Sequence, residues 1–329
     1  MAKHTAVFIA ALSVLAACGG KKDKEGKAPE GSGSAAAPEG SGAGSAPASV
    51  PPAASVAKVG DKTIVQAGFA TPESVLYDAD SDSYLVSNIN GKPAEADDNG
   101  FITRISPEGK PLALRWIDGS KPDVKLDAPK GMAIVGGVLY VADITVVRRF
   151  DAKTGAQQAD IPIDGATFLN DVAPTADGGV LVTDSGLDAS FKPTGADAIY
   201  KIDKAGKVTP FAKDKGLGAP NGVLEFSGNV WMVTFGSGEV VAFDAKGAKT
   251  SSQKPPKGQL DGLVAVAATG EVYVSSWEGK AVYKLSGRDS WTEVVKDVES
   301  PADMGLDPKR NMLLIPLFNL NQVVIVKAP

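Results

Sequence analysis

The sequence predicts an all-β fold, a six-bladed β-propeller, and three observations carry that expectation. From residue 57 onward, short runs rich in Val, Ile, Leu and Tyr alternate with Gly, Asp, Asn and Pro clusters, the texture of many short strands. Long helical periodicity is missing. A four-residue motif then recurs six times: Pro72-Glu73-Ser74-Val75, Pro129-Lys130-Gly131-Met132, Leu169-Asn170-Asp171-Val172, Pro220-Asn221-Gly222-Val223, Leu260-Asp261-Gly262-Leu263 and Pro301-Ala302-Asp303-Met304.

The second positions of these copies lie 57, 40, 51, 40 and 41 residues apart, a spacing that suits one propeller blade per copy. A second strand is expected after each motif, at 84–88, 139–143, 181–184, 231–235, 272–276 and 313–317. A third is expected at 101–105, 146–150, 198–202, 240–243, 281–285 and 322–326. Each such unit has an apolar face that it cannot bury alone, and a ring of units solves this. Val56–Val65 is expected to supply the outer strand of the last blade. A β-sandwich is the competing fold, but it gives no reason for polar residues to recur in one register.

In a propeller the first strand of each blade lines the channel, and its first residues sit at one mouth. Glu73, Lys130, Asn170, Asn221, Asp261 and Ala302 should therefore face one another there. Four of the six offer oxygen, from two carboxylates and two amides. Such a set suits a hard divalent cation, Ca²⁺ first, with Mg²⁺ or Mn²⁺ as alternatives. Asn-Gly and Asp-Gly pairs also make ordinary turns, so the two readings stand side by side. Gly222 is expected to let the backbone bend tightly there.

The remaining sequence limits the chemistry. The only histidine is His4 and the only cysteine is Cys18. Residues 1–17 read as an export signal, with Lys3 before a short apolar stretch. Leu15-Ala16-Ala17-Cys18 resembles the bacterial lipobox, in which the cysteine is acylated. Gly19 then favours the outer membrane over the inner one. Residues 18–56 read as a tether rich in Gly, Ser, Ala and Pro, reaching about 35 Å on average. The folded part, 57–329, holds neither His nor Cys, which excludes Ser-His-Asp and Cys-His catalysis and His- or Cys-built zinc sites. Without Lys3 the chain has 33 basic residues against 39 acidic ones, a net charge of −6, which argues against nucleic acid as a partner.

The segments "FLNDVAPTADGGVLVTDSG", "APNGVLEFSGNVWMV" and "LDGLVAVAATGEVYVSS", with "PESV" upstream, resemble the gluconolactonase / senescence marker protein / regucalcin family over the whole folded part. The resemblance implies a six-bladed propeller and a metal site on Glu73, Asn221 and Asp261. Asn170 would serve the substrate and a metal water. It also implies Ca²⁺- or Zn²⁺-dependent lactonase or esterase activity, with Asp261 as general base. The family's sugar lactonases carry an arginine where this chain has Phe168, so sugar-hydroxyl recognition is not expected to carry over. Lys130 could hold an anionic substrate or a developing oxyanion, or could neutralise Glu73 or Asp303.

Further expectations complete the site. Asn88, Asp143 and Asp184 occupy matching second-strand ends, with Phe235, Ser276 and Leu317 in the other blades. They are expected as second-shell or rim residues, or as caps of strand-end turns. Trp231 and Trp277 are expected in the blade cores. Two functions follow: a metal-dependent hydrolase of a small-molecule lactone or ester, or a non-catalytic, metal-stabilised propeller that docks an envelope protein. A lipid-anchored monomer fits either.

Overall fold

The computed structural model describes residues 54–287 and 289–329. The expected export signal, Cys18 and most of the expected tether lie outside them. Among the described residues there are six antiparallel sheets, five of four strands and one of five, with a single short 3-10 turn at Phe318–Leu320. No described helix is long and apolar enough to cross a membrane.

The inner strands are Pro72–Asp78, Pro129–Val135, Leu169–Pro174, Pro220–Phe226, Leu260–Val266 and Gly305–Asp307. All six begin at or just after the repeated motif. The second strands are Ser83–Asn88, Val138–Asp143, Val180–Asp184, Asn229–Thr234, Glu271–Ser276 and Met312–Leu317. The third strands, from Phe101–Ile105 to Gln322–Lys327, also follow the expected order.

The apolar side chains pack between blades, which is what closes the ring. Leu85, Ile102 and Ile117 of the first blade meet Met132, Leu139, Val141 and Phe150 of the second. Equivalent clusters join each later pair. The sixth joins Val75, Tyr84 and Val86 of the first blade to Leu314, Val323 and Ile325 of the last. Burying side chains of this kind stabilises by about 1.5–3 kcal/mol each relative to exposure, so each interface is a substantial adhesive surface.

The seam between last and first blades carries additional bonds. Asp303 N donates to Glu73 O at 2.9 Å, and Tyr84 Oη donates to Asp307 Oδ2 at 2.8 Å. Arg310 reaches across to Asp82 at 2.7 Å. The expected outer strand is part of a hairpin, Ser55–Val59 and Lys62–Gln66. Lys62–Gln66 pairs with Gln322–Lys327, placing both ends of the folded chain in one sheet. Ser55–Val59 adds a fifth, outermost strand that the repeat pattern did not indicate.

Gly222 departs from expectation. Its backbone is not left-handed, and a Cβ there would lie 2.5 Å from Asp261 O of the next blade. At Gly262 a Cβ would lie 2.3 Å from Met304 N. The glycines therefore permit close approach of neighbouring inner strands rather than a tight bend. Replacing Gly262 by Ala should cost about 1–3 kcal/mol through overpacking. Thermal unfolding checks this, and an unchanged Tm would contradict the close-approach account.

Candidate metal and hydrolase centre

Each motif is aimed by a local irregularity. The pairing of inner and second strands slips between the first and later motif positions in the first five blades, the mark of a β-bulge. Thr71, Ala219, Gln259 and Ser300, just ahead of four motifs, take positive φ. Hydroxyls of the second strands satisfy the amides the bulges release. Thr183 Oγ1 accepts from Asp171 N at 2.9 Å and donates to Asn221 O of the next blade at 2.7 Å. Ser275 Oγ accepts from Gly262 N and donates to Ala302 O. The same hydroxyls thus fix the bulge and lock neighbouring motifs together.

The expected ring is buried: Glu73, Lys130, Asn170, Asn221, Asp261 and Ala302 are all at most 6% exposed. Glu73 Oε2, Asn170 Oδ1, Asn221 Oδ1 and Asp261 Oδ1 are buried and have no hydrogen-bond partner among the described residues. Orphaned buried oxygens are rare and costly. Here one comes from each of the four blades expected to supply ligands. Two other polar atoms of the set are held. Asn170 Nδ2 donates to Ser185 Oγ at 3.2 Å, and Trp277 Nε1 donates to Asp261 Oδ2 at 2.8 Å. The donor set is two carboxylates and two amides; among the described residues no three Asp, Glu, His or Cys side chains form a metal-holding group by themselves. Oxygen donors without thiol or imidazole fit a hard cation.

Two carboxylates at the third motif position join this centre. Asp171 accepts from Val172 N at 2.6 Å and from Val223 N of the next blade at 2.7 Å. Asp303 accepts from Ser74 Oγ, across the seam. Both are buried, and Asp171 had no assigned role in the sequence reading. Their acidic identity inside the motif is the one signal of this placement that the sequence carries.

Four carboxyls thus share one buried region with a single lysine. Burial pushes Glu73 well up, and the charges of Asp261 and Asp303 add to it, against Lys130. Burial likewise pushes Asp303 well up, and Asp171 to about 6. Asp261 rises to about 8 through burial, resisted by the Trp277 indole and raised further by Asp171. Lys130 is pushed down by burial and held up mainly by Glu73. Its Nζ donates to Ala128 O at 3.0 Å and lies 4.6 Å from the Phe168 ring centre. Of the two acidic partners weighed for it, the charge that acts on it is Glu73's, not Asp303's.

The second-strand ends need one correction of register. Thr234, not Phe235, pairs with Pro220, as Asn88, Asp143 and Asp184 pair with Pro72, Pro129 and Leu169. Asn88 Oδ1 accepts from Ala70 N, Asp143 from Asp127 N and Ala128 N, and Asp184 from Thr167 N and Phe168 N. These residues fix the loops that lead into the inner strands. Arg148 steadies Asp143 from behind, bridging it to Asp127 and Asp160. Trp231 packs beside a blade core, as expected. Trp277 does not: it stands at the site, bonded to Asp261 and packed between Phe235, edge to face, and the tilted ring of Phe318.

No family model matches the sequence, and no curated protein matches it. Solved structures do. A gluconolactonase from Xanthomonas campestris superposes with a TM-score of 0.64 at 17% identity, over 82% of this chain and 91% of that one. The chain shares that structure's propeller fold. A second structure assigned as a gluconolactonase gives 0.62 at 17% identity, over 84% and 93%. Virginiamycin B lyase from Staphylococcus aureus, solved with quinupristin, gives 0.55 at 13% identity, over 84% and 99%. At such identities the likeness is one of fold, and the chemistry must be argued from this chain's own residues.

The raised carboxyls have a consequence for stability. Folded, cation-free protein keeps protons on Asp261 and Asp171 at pH values where the unfolded chain, with ordinary carboxyls near about 4, has lost them. Its stability therefore falls as pH rises from about 4 to about 8. EDTA-treated protein should show a Tm that declines over that range, and Asp261→Asn should flatten the decline. A pH-independent Tm would contradict the raised carboxyls.

Proposed function

We propose that the chain is a metal-dependent hydrolase that opens a lactone or similar ester at this mouth, with Ca²⁺ as the favoured ion. The observation that carries the reading is the set of unpartnered oxygens on Glu73, Asn170, Asn221 and Asp261. These residues would hold the ion. Bound there, a divalent cation supplies positive charge that polarises the ester carbonyl and offsets charge on its oxygen.

The chain's own groups divide the remaining work. Asp261 is the candidate general base. Trp277 holds its Oδ2 and so fixes the carboxylate that would take a proton from the attacking water. The water oxygen adds to the carbonyl carbon, and the bond to the ring oxygen breaks. That oxygen collects the proton, giving a hydroxy acid. Asn170 is placed to orient the carbonyl or the water. Lys130, buried against Phe168 and facing the charge of Glu73, offsets part of the carboxylate charge instead of reaching open solvent.

A second reading is kept because one residue favours it. Phe168 stands where sugar lactonases resembling this chain carry an arginine, and a ring cannot replace its hydrogen bonds. A metal-stabilised propeller that binds an envelope partner without turnover would need no such arginine. A panel of lactones and esters separates the two. The hydrolase reading expects turnover that EDTA abolishes and Ca²⁺ restores, and a loss of about 100-fold or more in kcat for Asp261→Asn. Folded, Ca²⁺-loaded protein that turns over none of the panel would leave only the binding reading.

A further inference from the structure

The residue that follows each second strand occupies one register around the mouth. Backbone bonds define it: Ile89 N donates to Thr71 O, Ser185 N to Phe168 O, Phe235 N to Ala219 O, Trp277 N to Gln259 O and Phe318 N to Ser300 O. In the second blade the equivalent residue is Ile144, whose carbonyl accepts from Leu169 N at 2.7 Å. Five of the six are apolar and none is charged. Phe235, Trp277 and Phe318 are only partly buried and form a continuous aromatic arc, with ring centres 5.6 and 5.4 Å apart.

This arc touches the centre directly, because Trp277 at its middle donates to Asp261. A second aromatic pair lies on the third-blade side. The Phe168 ring, under Lys130, stacks at 5.9 Å on the partly exposed Phe191. Aromatic faces therefore reach the candidate base on one flank and the buried lysine on the other.

We propose that this aromatic collar selects a lactone or ester whose body is apolar, alkyl or aromatic, over a polyhydroxylated one. The proposal rests on the hydrolase reading and narrows its substrate class. A sugar lactone would press its hydroxyls against Phe235, Trp277 and Phe318, which offer them no partner, and unpaired buried hydroxyls are costly. An apolar body gains by leaving water against the same rings. Phe235 and Phe318 are the specificity-determining residues, and Trp277 both carries the arc and positions Asp261.

The test uses the whole folded chain loaded with Ca²⁺ and two probes, dihydrocoumarin and glucono-δ-lactone. Turnover is followed by steady-state kinetics and binding by calorimetry, for wild type, Phe235→Ser, Phe318→Ser and the conservative Phe318→Leu. The expected result is a kcat/KM at least about tenfold higher for dihydrocoumarin. That ratio should fall in the serine variants mainly through KM and return with leucine, while the variants keep their Tm. Equal or better turnover of the sugar lactone, or a ratio unmoved by the serine variants, overturns the collar and leaves the hydrolase reading standing. Binding of dihydrocoumarin without turnover, weakened in Phe318→Ser, upholds the apolar mouth and removes the hydrolase reading. Failure to bind either probe removes both.

Discussion

The structure depends on one electrostatic constraint: negative charge and unpaired oxygen are gathered at the mouth of a closed ring, away from water. Glu73, Asp171, Asp261 and Asp303 are buried together, and Lys130 is the one lysine buried with them. Burial alone would keep such carboxyls protonated. Four further features point the same way, because the buried oxygens Glu73 Oε2, Asn170 Oδ1, Asn221 Oδ1 and Asp261 Oδ1 have no hydrogen-bond partner among the described residues. The cation proposed for this mouth would resolve both costs at once, favouring the charged carboxyls and satisfying the amide oxygens.

The ring makes this concentration possible. Inter-blade cores hold the blades in a fixed order, and the seam from the last blade to the first is bonded through Asp303, Tyr84 and Arg310. Gly222 and Gly262 let inner strands come close enough to present their neighbours' side chains to one centre. Thr183 and Ser275 then tie each bulge to the next blade's carbonyl. Scaffold and site therefore meet at the motifs: Asp303 N to Glu73 O joins the seam at a site residue, and Thr183 and Ser275 join neighbouring motifs.

Much of this was legible in the sequence, because a repeated motif reports both fold and register. The inner, second and third strands followed the six copies, and the motif's second position marked the four unpaired oxygens. Legibility failed where one residue of offset mattered. Phe235 lies one place beyond the strand-end register, which Thr234 holds, and Trp277 leaves the core where the burial tendency of tryptophan would place it. Only the three-dimensional register shows Trp277 reaching Asp261. Asp171 and Asp303 were in plain view, but their approach to the centre depends on bulges that composition does not reveal. The Val56–Val65 stretch is legible as the closing segment but not as a hairpin of two strands, because it lies outside the repeat.

The central claim is that this mouth holds a hard cation, and titration calorimetry of EDTA-stripped protein with Ca²⁺ tests it most directly. The account predicts one ion per chain, proton release that grows as pH is lowered from about 8 toward about 6, and loss of binding in Asp261→Asn and Glu73→Gln variants that remain folded. Folded wild-type protein that takes up no divalent ion, or binds it equally well without those two carboxylates, would contradict it.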